Sequence, residues 1–199
     1  MKVSPTPLPG VLLIEPRVFG DDRGHFFECW SASRYGEAGL GGPFVQDNLS
    51  VSRRGVLRGL HYQHPNGQGK LVTVLDGSVF DVVVDIRRGS PTYGRWWGTD
   101  LDGESHRQLW VPPGFAHGFL VTSDRAFFAY KCSEYYRPAD EGSIRWDDPG
   151  LGIAWPDPGP GGPVVSAKDR GAPRLADLPA DRLPSLDVEE NGVGPGFAF

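Results

Sequence analysis

No stretch of this chain approaches the roughly 18 consecutive apolar residues of a membrane-spanning helix. Residues 1–10 include three prolines and lack the apolar run that an export signal carries. These two absences predict a soluble, unexported protein of the cytoplasm with no membrane partner. Positive charge is not in excess either: 20 Lys and Arg stand against 25 Asp and Glu, and the cations are scattered. The basic footprint of a duplex-binding protein is missing, so no nucleic-acid partner is expected and any phosphate recognition is local. Cysteine is scarce. Cys29 and Cys132 match neither a disulfide framework nor a zinc site, and the plain expectation is two buried thiols. A glycine-rich strand-to-helix phosphate loop is absent as well.

What the chain has in quantity is turn residues, 28 Gly and 19 Pro, which favour many short strands over long helices. Apolar or alternating segments at 11–19, 24–30, 71–87, 94–101, 107–114, 117–123 and 126–136 read as strands, with turn signals every eight to twelve residues. The fold class this predicts is all-β, a sandwich or barrel with a few short peripheral helices. The clearest hairpin is 71–86, where two β-branched runs flank Asp76-Gly77-Ser78. Residues 31–39 form the one helix expected before the central strands, with Ser31 or Ser33 as its cap. A length of 199 residues suits a single domain over 1–199. Its core is expected over about 10–169, with a C-terminal helix and tail over 170–199. Within that end, 172–184 reads as one short helix, and 189–199 as poorly ordered unless a neighbouring subunit holds it.

Two segments carry most of the chemistry. The first is Arg58-Gly59-Leu60-His61-Tyr62-Gln63 followed by Gln68-Gly69-Lys70-Leu71-Val72; the second runs from Val111-Pro112-Pro113-Gly114 to Phe115-Ala116-His117-Gly118-Phe119. Pro-x-Gly-x-x-His resembles the second motif of the cupin, or jelly-roll, fold. Many cupins bind metal through a His-x-His pair, because alternate residues of a strand share a face, together with a later Glu. Here His61 and His64 are three apart, and Lys70 stands where the Glu would be. A metal site is disfavoured, and the pocket is expected to work by acid-base chemistry with no cofactor.

A longer set of motifs runs in order along the chain. It comprises Asp22-Arg23-Gly24-His25-Phe26-Phe27-Glu28, Gln46-Asp47-Asn48-Leu49-Ser50, Arg58 to His61, Gly69-Lys70, Pro112 to Phe119, Tyr130-Lys131, Tyr135-Tyr136, Glu141-Gly142-Ser143 and Ser166-Ala167-Lys168-Asp169. From about residue 10 to 169 this resembles the dTDP-4-dehydrorhamnose 3,5-epimerase family of nucleotide-sugar isomerases. The resemblance implies that His61 is a base oriented by Asp169, that Lys70 stabilises an enolate, and that Tyr130 is the acid on the opposite face. It also implies that Arg23, Arg58 and Lys168 face the nucleotide or its diphosphate, that Gln46, Asp47 and Asn48 meet the nucleotide, and that Tyr136 stacks on thymine. Glu28, His117 and Glu141 match further pocket positions. The family's dimeric habit implies a homodimer in which Arg23 and Glu28 reach the neighbouring site.

Taken one at a time, these residues have plainer readings. An isolated strand His is more often a hydrogen-bonded core residue than a catalyst; Tyr130 lies in an aromatic stripe of core type; Asp169 fits a turn. His25 and His64 carry no evident role, His106 reads as exposed, and Trp96, Trp97 and Trp110 read as packing. Three rivals stay open: a monoepimerase acting at C3 or C5 alone, a metal-dependent cupin, and a protein that only binds a sugar nucleotide.

Overall fold

The computed structural model describes residues 1–40 and 42–186, so the expectation for the glycine-rich end at 189–199 lies outside the described residues. Its strands, in chain order, are β1 (Lys2–Pro5), β2 (Leu12–Glu15), β3 (Val18–Asp21), β4 (Gly24–Phe27), β5 (Gln46–Arg53), β6 (Leu57–Gln63), β7 (Lys70–Asp76), β8 (Ser78–Asp85), β9 (Trp96–Asp102), β10 (Gln108–Val111), β11 (Phe115–Val121), β12 (Arg125–Cys132) and β13 (Glu141–Ser143). The helices are α1 (Ala32–Glu37) and α2 (Ala167–Arg170). A six-stranded sheet in the order β1-β2-β10-β7-β12-β5 faces a five-stranded sheet in the order β13-β6-β11-β8-β9, and β3 and β4 form a separate hairpin. This is a β-sandwich of the cupin type. Among the described residues no helix is long and apolar enough to cross a membrane.

The two sheets bury their facing sides against one another. Val72, Val74, Val79, Val83, Leu109, Phe119, Val121 and Phe128 are among the residues that fill the interior. Each fully buried side chain of this size contributes about 1.5–3 kcal/mol. Phe119 from one sheet stacks on Phe128 from the other with centroids 3.9 Å apart, tying the layers together beside the pocket described below. The outer side of the five-stranded sheet is covered by the chain after β13, where Ile144, Leu151, Leu175 and Leu183 pack on Leu60, Val82, Val84 and Ile86. That double burial is why β8 reads as a near-continuous apolar run, interrupted by Asp81, rather than an alternating one.

Several expectations need correction. The span 71–86 is not a hairpin: β7 pairs with β10 and β12, whereas β8 pairs with β11 and β9. The turn at Gly77 (φ +80°) is instead a corner at which the chain changes sheets. A Cβ there would lie 2.0 Å from the Arg125 carbonyl oxygen, which leaves no room for any other residue. The expected strand 11–19 is split in two by Pro16, which has no N–H for a ladder. Ser31 occupies the N-cap position of α1 but its side chain makes no capping hydrogen bond. In place of one C-terminal helix over 172–184 there are two single 3₁₀ turns, Leu175–Asp177 and Ala180–Arg182, because Pro173, Pro179 and Pro184 interrupt any longer helix.

Cys132 is buried but Cys29 is exposed, since it lies in the connection from β4 to α1 rather than in a sheet. His106 is buried, at 8% exposure, because its ring stacks on Phe27 at 4.3 Å and meets His25 at 4.6 Å. Trp110 packs as expected, buried with Ile14, Tyr35 and Leu71 on the outer side of the six-stranded sheet.

Candidate active site

His61 lies on β6 directly opposite His117 on β11. Arg58 and His61 are three residues apart, so on a regular strand they would face opposite ways. A shift of register between β6 and β11, with Phe119 opposite Arg58 and His117 opposite His61, sets three steps of one strand against two of the other. Both side chains thereby line one pocket. Gly59 makes this possible: its φ is +135°, and a Cβ would stand 2.6 Å from Gly118 Cα.

Asp169 arrives from far along the chain on α2. Ser166 caps that short helix by accepting a hydrogen bond from the Asp169 N–H at 3.0 Å, which fixes where the carboxylate points. The carboxylate Oδ1 is 2.6 Å from His61 Nε2, with the Asp169 side chain only 5% exposed. Burial works to raise the Asp169 carboxyl. The hydrogen bond and charge of His61, a hydrogen bond from the Ser166 hydroxyl and the Gly59 N–H outweigh it and hold the group below the usual aspartate range.

Lys70 opens β7 and Tyr130 lies on β12, and both line the pocket with His61 and His117. The Lys70 ammonium is 6.0 Å from the Tyr130 ring centre. Burial pushes the lysine down, against the attraction of Cys132, Asp81 and Glu141. Burial pushes the Tyr130 phenol up, so it keeps its proton through neutral pH. His117 Nε2 lies 2.9 Å from both carboxylate oxygens of the fully buried Asp81.

A second part of the cleft adjoins this one. It is lined by Gln46, Asn48, Tyr136 and Glu141 together with His61, Lys70 and Tyr130. Gln46 donates to Asn48 Oδ1 at 3.0 Å and accepts from the Tyr136 N–H at 3.0 Å; the Tyr136 hydroxyl donates to Glu141 at 3.0 Å. Glu141 also pairs with Lys168 of α2, so the helix that delivers Asp169 closes this side as well. Arg58 donates to Ser52 Oγ through Nε and Nη2, both at 3.1 Å, which holds the guanidinium over the cleft between His61 and Lys168.

Three expected residues are not brought to the pocket within this chain. Asp47 alternates with Gln46 and Asn48 on β5, so its side chain faces the other side of the sheet, where it pairs with Lys131 at 2.9 Å. Arg23, 89% exposed in the turn of the β3–β4 hairpin, pairs with Asp21. Glu28 pairs with Arg34 beside α1. Among the described residues no three His, Cys, Asp or Glu side chains converge as metal ligands.

Residues 5–177 match the family model described as dTDP-4-dehydrorhamnose 3,5-epimerase. A relative of that name from Pseudomonas aeruginosa is 53% identical over 186 residues, covering 92% of this chain and all of that protein. The chain belongs to the dTDP-4-dehydrorhamnose 3,5-epimerase family. It is therefore an enzyme of isomerase type. The Legionella pneumophila dTDP-6-deoxy-D-glucose-3,5-epimerase, solved in complex with dTDP-4-keto-L-rhamnose, superposes with a TM-score of 0.89 at 51% identity, covering 93% of this chain and 98% of that one. A 3'-monoepimerase from Streptomyces bikiniensis, in complex with dTDP-quinovose, superposes at 0.84 with 40% identity, covering 91% and 92%.

Sequence reasoning missed three residues that shape this epimerase-family site. Ser52 seats Arg58, and Gln63 accepts from the Arg137 N–H at 2.9 Å and donates to the Tyr135 carbonyl at 3.2 Å, setting the loop that carries Tyr136. Asp81 is the third. A signal existed for two of them: Ser52 continues the every-second-residue set Gln46, Asn48, Ser50, and a carboxylate inside Val79-Phe80-Asp81-Val82-Val83-Val84 is rare without a buried partner.

Proposed function

We propose that this family member inverts C3 and C5 of dTDP-4-keto-6-deoxy-D-glucose, giving dTDP-4-keto-L-rhamnose, with His61 as base and Tyr130 as acid. The observation that carries this reading is the 2.6 Å His61–Asp169 pair in one cleft with Lys70 and Tyr130. Asp169, held ionised, accepts from Nε2–H and leaves Nδ1 as the nitrogen that takes the proton from carbon; the carboxylate then stabilises the imidazolium. The electrons of the broken C–H bond pass to the C4 oxygen, where the Lys70 ammonium offsets the enolate charge. Tyr130 returns a proton to the opposite face of the same carbon, and both groups re-equilibrate with solvent. Only protons move, so the scheme uses no cofactor. Arg58 and Lys168 serve the diphosphate, Gln46, Asn48 and Tyr136 the nucleotide, and His117 and Glu141 the sugar end.

Turnover in D₂O tests this. Deuterium at both C3 and C5 with formation of the L-sugar is expected, because label enters only at a carbon that has been deprotonated. Label confined to one carbon establishes the monoepimerase reading, which the likeness to the Streptomyces bikiniensis enzyme keeps in view.

The working unit in this proposal is a homodimer. The six-stranded sheet leaves Leu49, Val51 and Leu75 more than half or half exposed on its open outer side, and Phe19 and Phe26 of the β3–β4 hairpin are 51% and 71% exposed. Apolar exposure of this kind on a sheet face and an adjacent arm marks a contact surface, and a second copy supplies a self-complementary partner. Arg23 and Glu28, unable to join their own chain's pocket, then serve the partner's. Mixing Arg23→Ala with His61→Asn protein is the check. Random exchange makes half the dimers mixed, each with one intact site, so activity should recover to about one quarter of wild type. Activity that stays at the sum of the two separate variants places Arg23 outside the partner's site.

A further inference from the structure

Asp81 takes no part in the scheme above, yet it is fully buried and its carboxylate meets His117, which lines the pocket with His61 and Lys70. It lies on β8 opposite Phe119 of β11, and both its oxygens are 2.9 Å from His117 Nε2. An ionised carboxylate so placed is unfavourable unless another charge and hydrogen bonds offset its desolvation. We propose that Asp81 is a positioning residue for the epimerisation: its carboxylate fixes the His117 ring and supplies the counter-charge that keeps Lys70 an ammonium ion once substrate has closed the pocket. The proposal rests on the reading of Lys70 as the enolate's partner.

The groups that face Lys70 come from five strands. They are Arg58 and His61 on β6, Asp81 on β8, His117 on β11, Tyr130 and Cys132 on β12, and Glu141 on β13 beyond them. Burial pushes the Cys132 thiol and the Tyr130 phenol up, so both are neutral near neutral pH and neither balances a cation. Glu141 is already engaged by Lys168 and Tyr136. Asp81 remains. Its hydrogen-bond donor is an imidazole N–H, which a neutral His117 provides, so its negative charge is available to the lysine. Burial drives the Asp81 carboxyl up and the Lys70 ammonium down, the direction in which a proton would pass between them; their attraction and the His117 hydrogen bond oppose it. With Nε2 committed to Asp81, Nδ1 is the ring nitrogen that His117 can offer the sugar.

The test is the pH profile of kcat and kcat/KM for the full-length enzyme acting on dTDP-4-keto-6-deoxy-D-glucose. The wild-type rate should fall on the alkaline side, as Lys70 loses its proton, at a pH below that of an ordinary lysine near 10.4. Asp81→Asn keeps an oxygen for the His117 N–H but loses the charge. It should lower kcat about 10- to 100-fold, leave KM within about threefold, and move the alkaline limb down by about one unit or more. Asp81→Glu, which keeps the charge, should retain the wild-type limb even where its rate is lower. Asp81→Ser should reproduce the displaced limb if the asparagine variant does not fold. An unmoved limb in the neutral variants, or an equal displacement in Asp81→Glu, overturns the role of Asp81. A wild-type protein that incorporates no deuterium overturns the proposed function instead.

Discussion

His61→Asn should slow deuterium incorporation from D₂O at both carbons by 10²- to 10⁴-fold, about the range a positioned general base supplies, toward its upper end. Asparagine keeps a polar side chain of similar breadth in the strand but has no lone pair basic enough to take a proton from carbon. The loss falls on kcat. KM should change little, because the nucleotide residues Gln46, Asn48 and Tyr136 hold one another through their own hydrogen bonds and do not depend on the imidazole. Single-turnover kinetics separate the two quantities. Loss of the imidazole also removes the main partner that keeps the Asp169 carboxyl low. A depressed carboxylate contributes stability that is present above its unfolded value, near 3.9, and is lost as pH falls through its folded value. The variant should therefore be less stable than wild type at neutral pH, with the gap closing in acid, and thermal melts across pH 3–7 read this directly. Retention of full exchange by folded His61→Asn protein would remove the imidazole from the mechanism.

Tyr130→Phe should separate two events that occur together in the wild type. Without the phenol no proton returns from the opposite face, so conversion to the inverted sugar should fall 10²- to 10⁴-fold. His61 remains able to take the proton and to give it back on the side it came from, so deuterium should still enter the starting sugar without inversion. The ring's packing is conserved in the phenylalanine, which keeps its place near Phe128, and stability should change little. Recovered substrate that carries label but the original configuration is the expected product analysis. Recovered substrate without label would mean that Tyr130 acts before or during proton removal, and the assignment of acid and base would need reversing.

The two halves of this pair were legible in the sequence to different degrees. His61 and Lys70 occupy short motifs of their own, and the absence of a His-x-His pair already argued for proton chemistry over metal binding. The convergence of Arg58 with His61 was not legible. On an ideal strand Arg58 and His61 point apart, and it is the register shift against β11, permitted by Gly59, that puts both on one cleft. The family resemblance grouped Asp47 with Gln46 and Asn48, and the pairing of β5 with β12 shows its carboxylate turned to Lys131 on the other face. The 71–86 hairpin failed for a related reason. A Gly turn between two β-branched runs is equally suited to a two-stranded ribbon and to a corner between sheets, and the choice lies with strands more than thirty residues away in β10, β11 and β12.

By itself the sequence determined the all-β class, through turn residues at short intervals and the lack of long helical periods, together with most of the side-chain types that the chemistry requires. Local composition suffices for this because strand and turn preferences act over a few residues. The tertiary structure alone decided which of those side chains meet. Asp169 reaches His61 across 108 residues of chain, Asp81 reaches His117 across 36, and Lys168 reaches Glu141 from the same four-residue helix that carries Asp169. Such contacts are set by the packing of one sheet on the other and of the C-terminal segment on both. That packing is a property of the whole buried interior, and no window of sequence contains it.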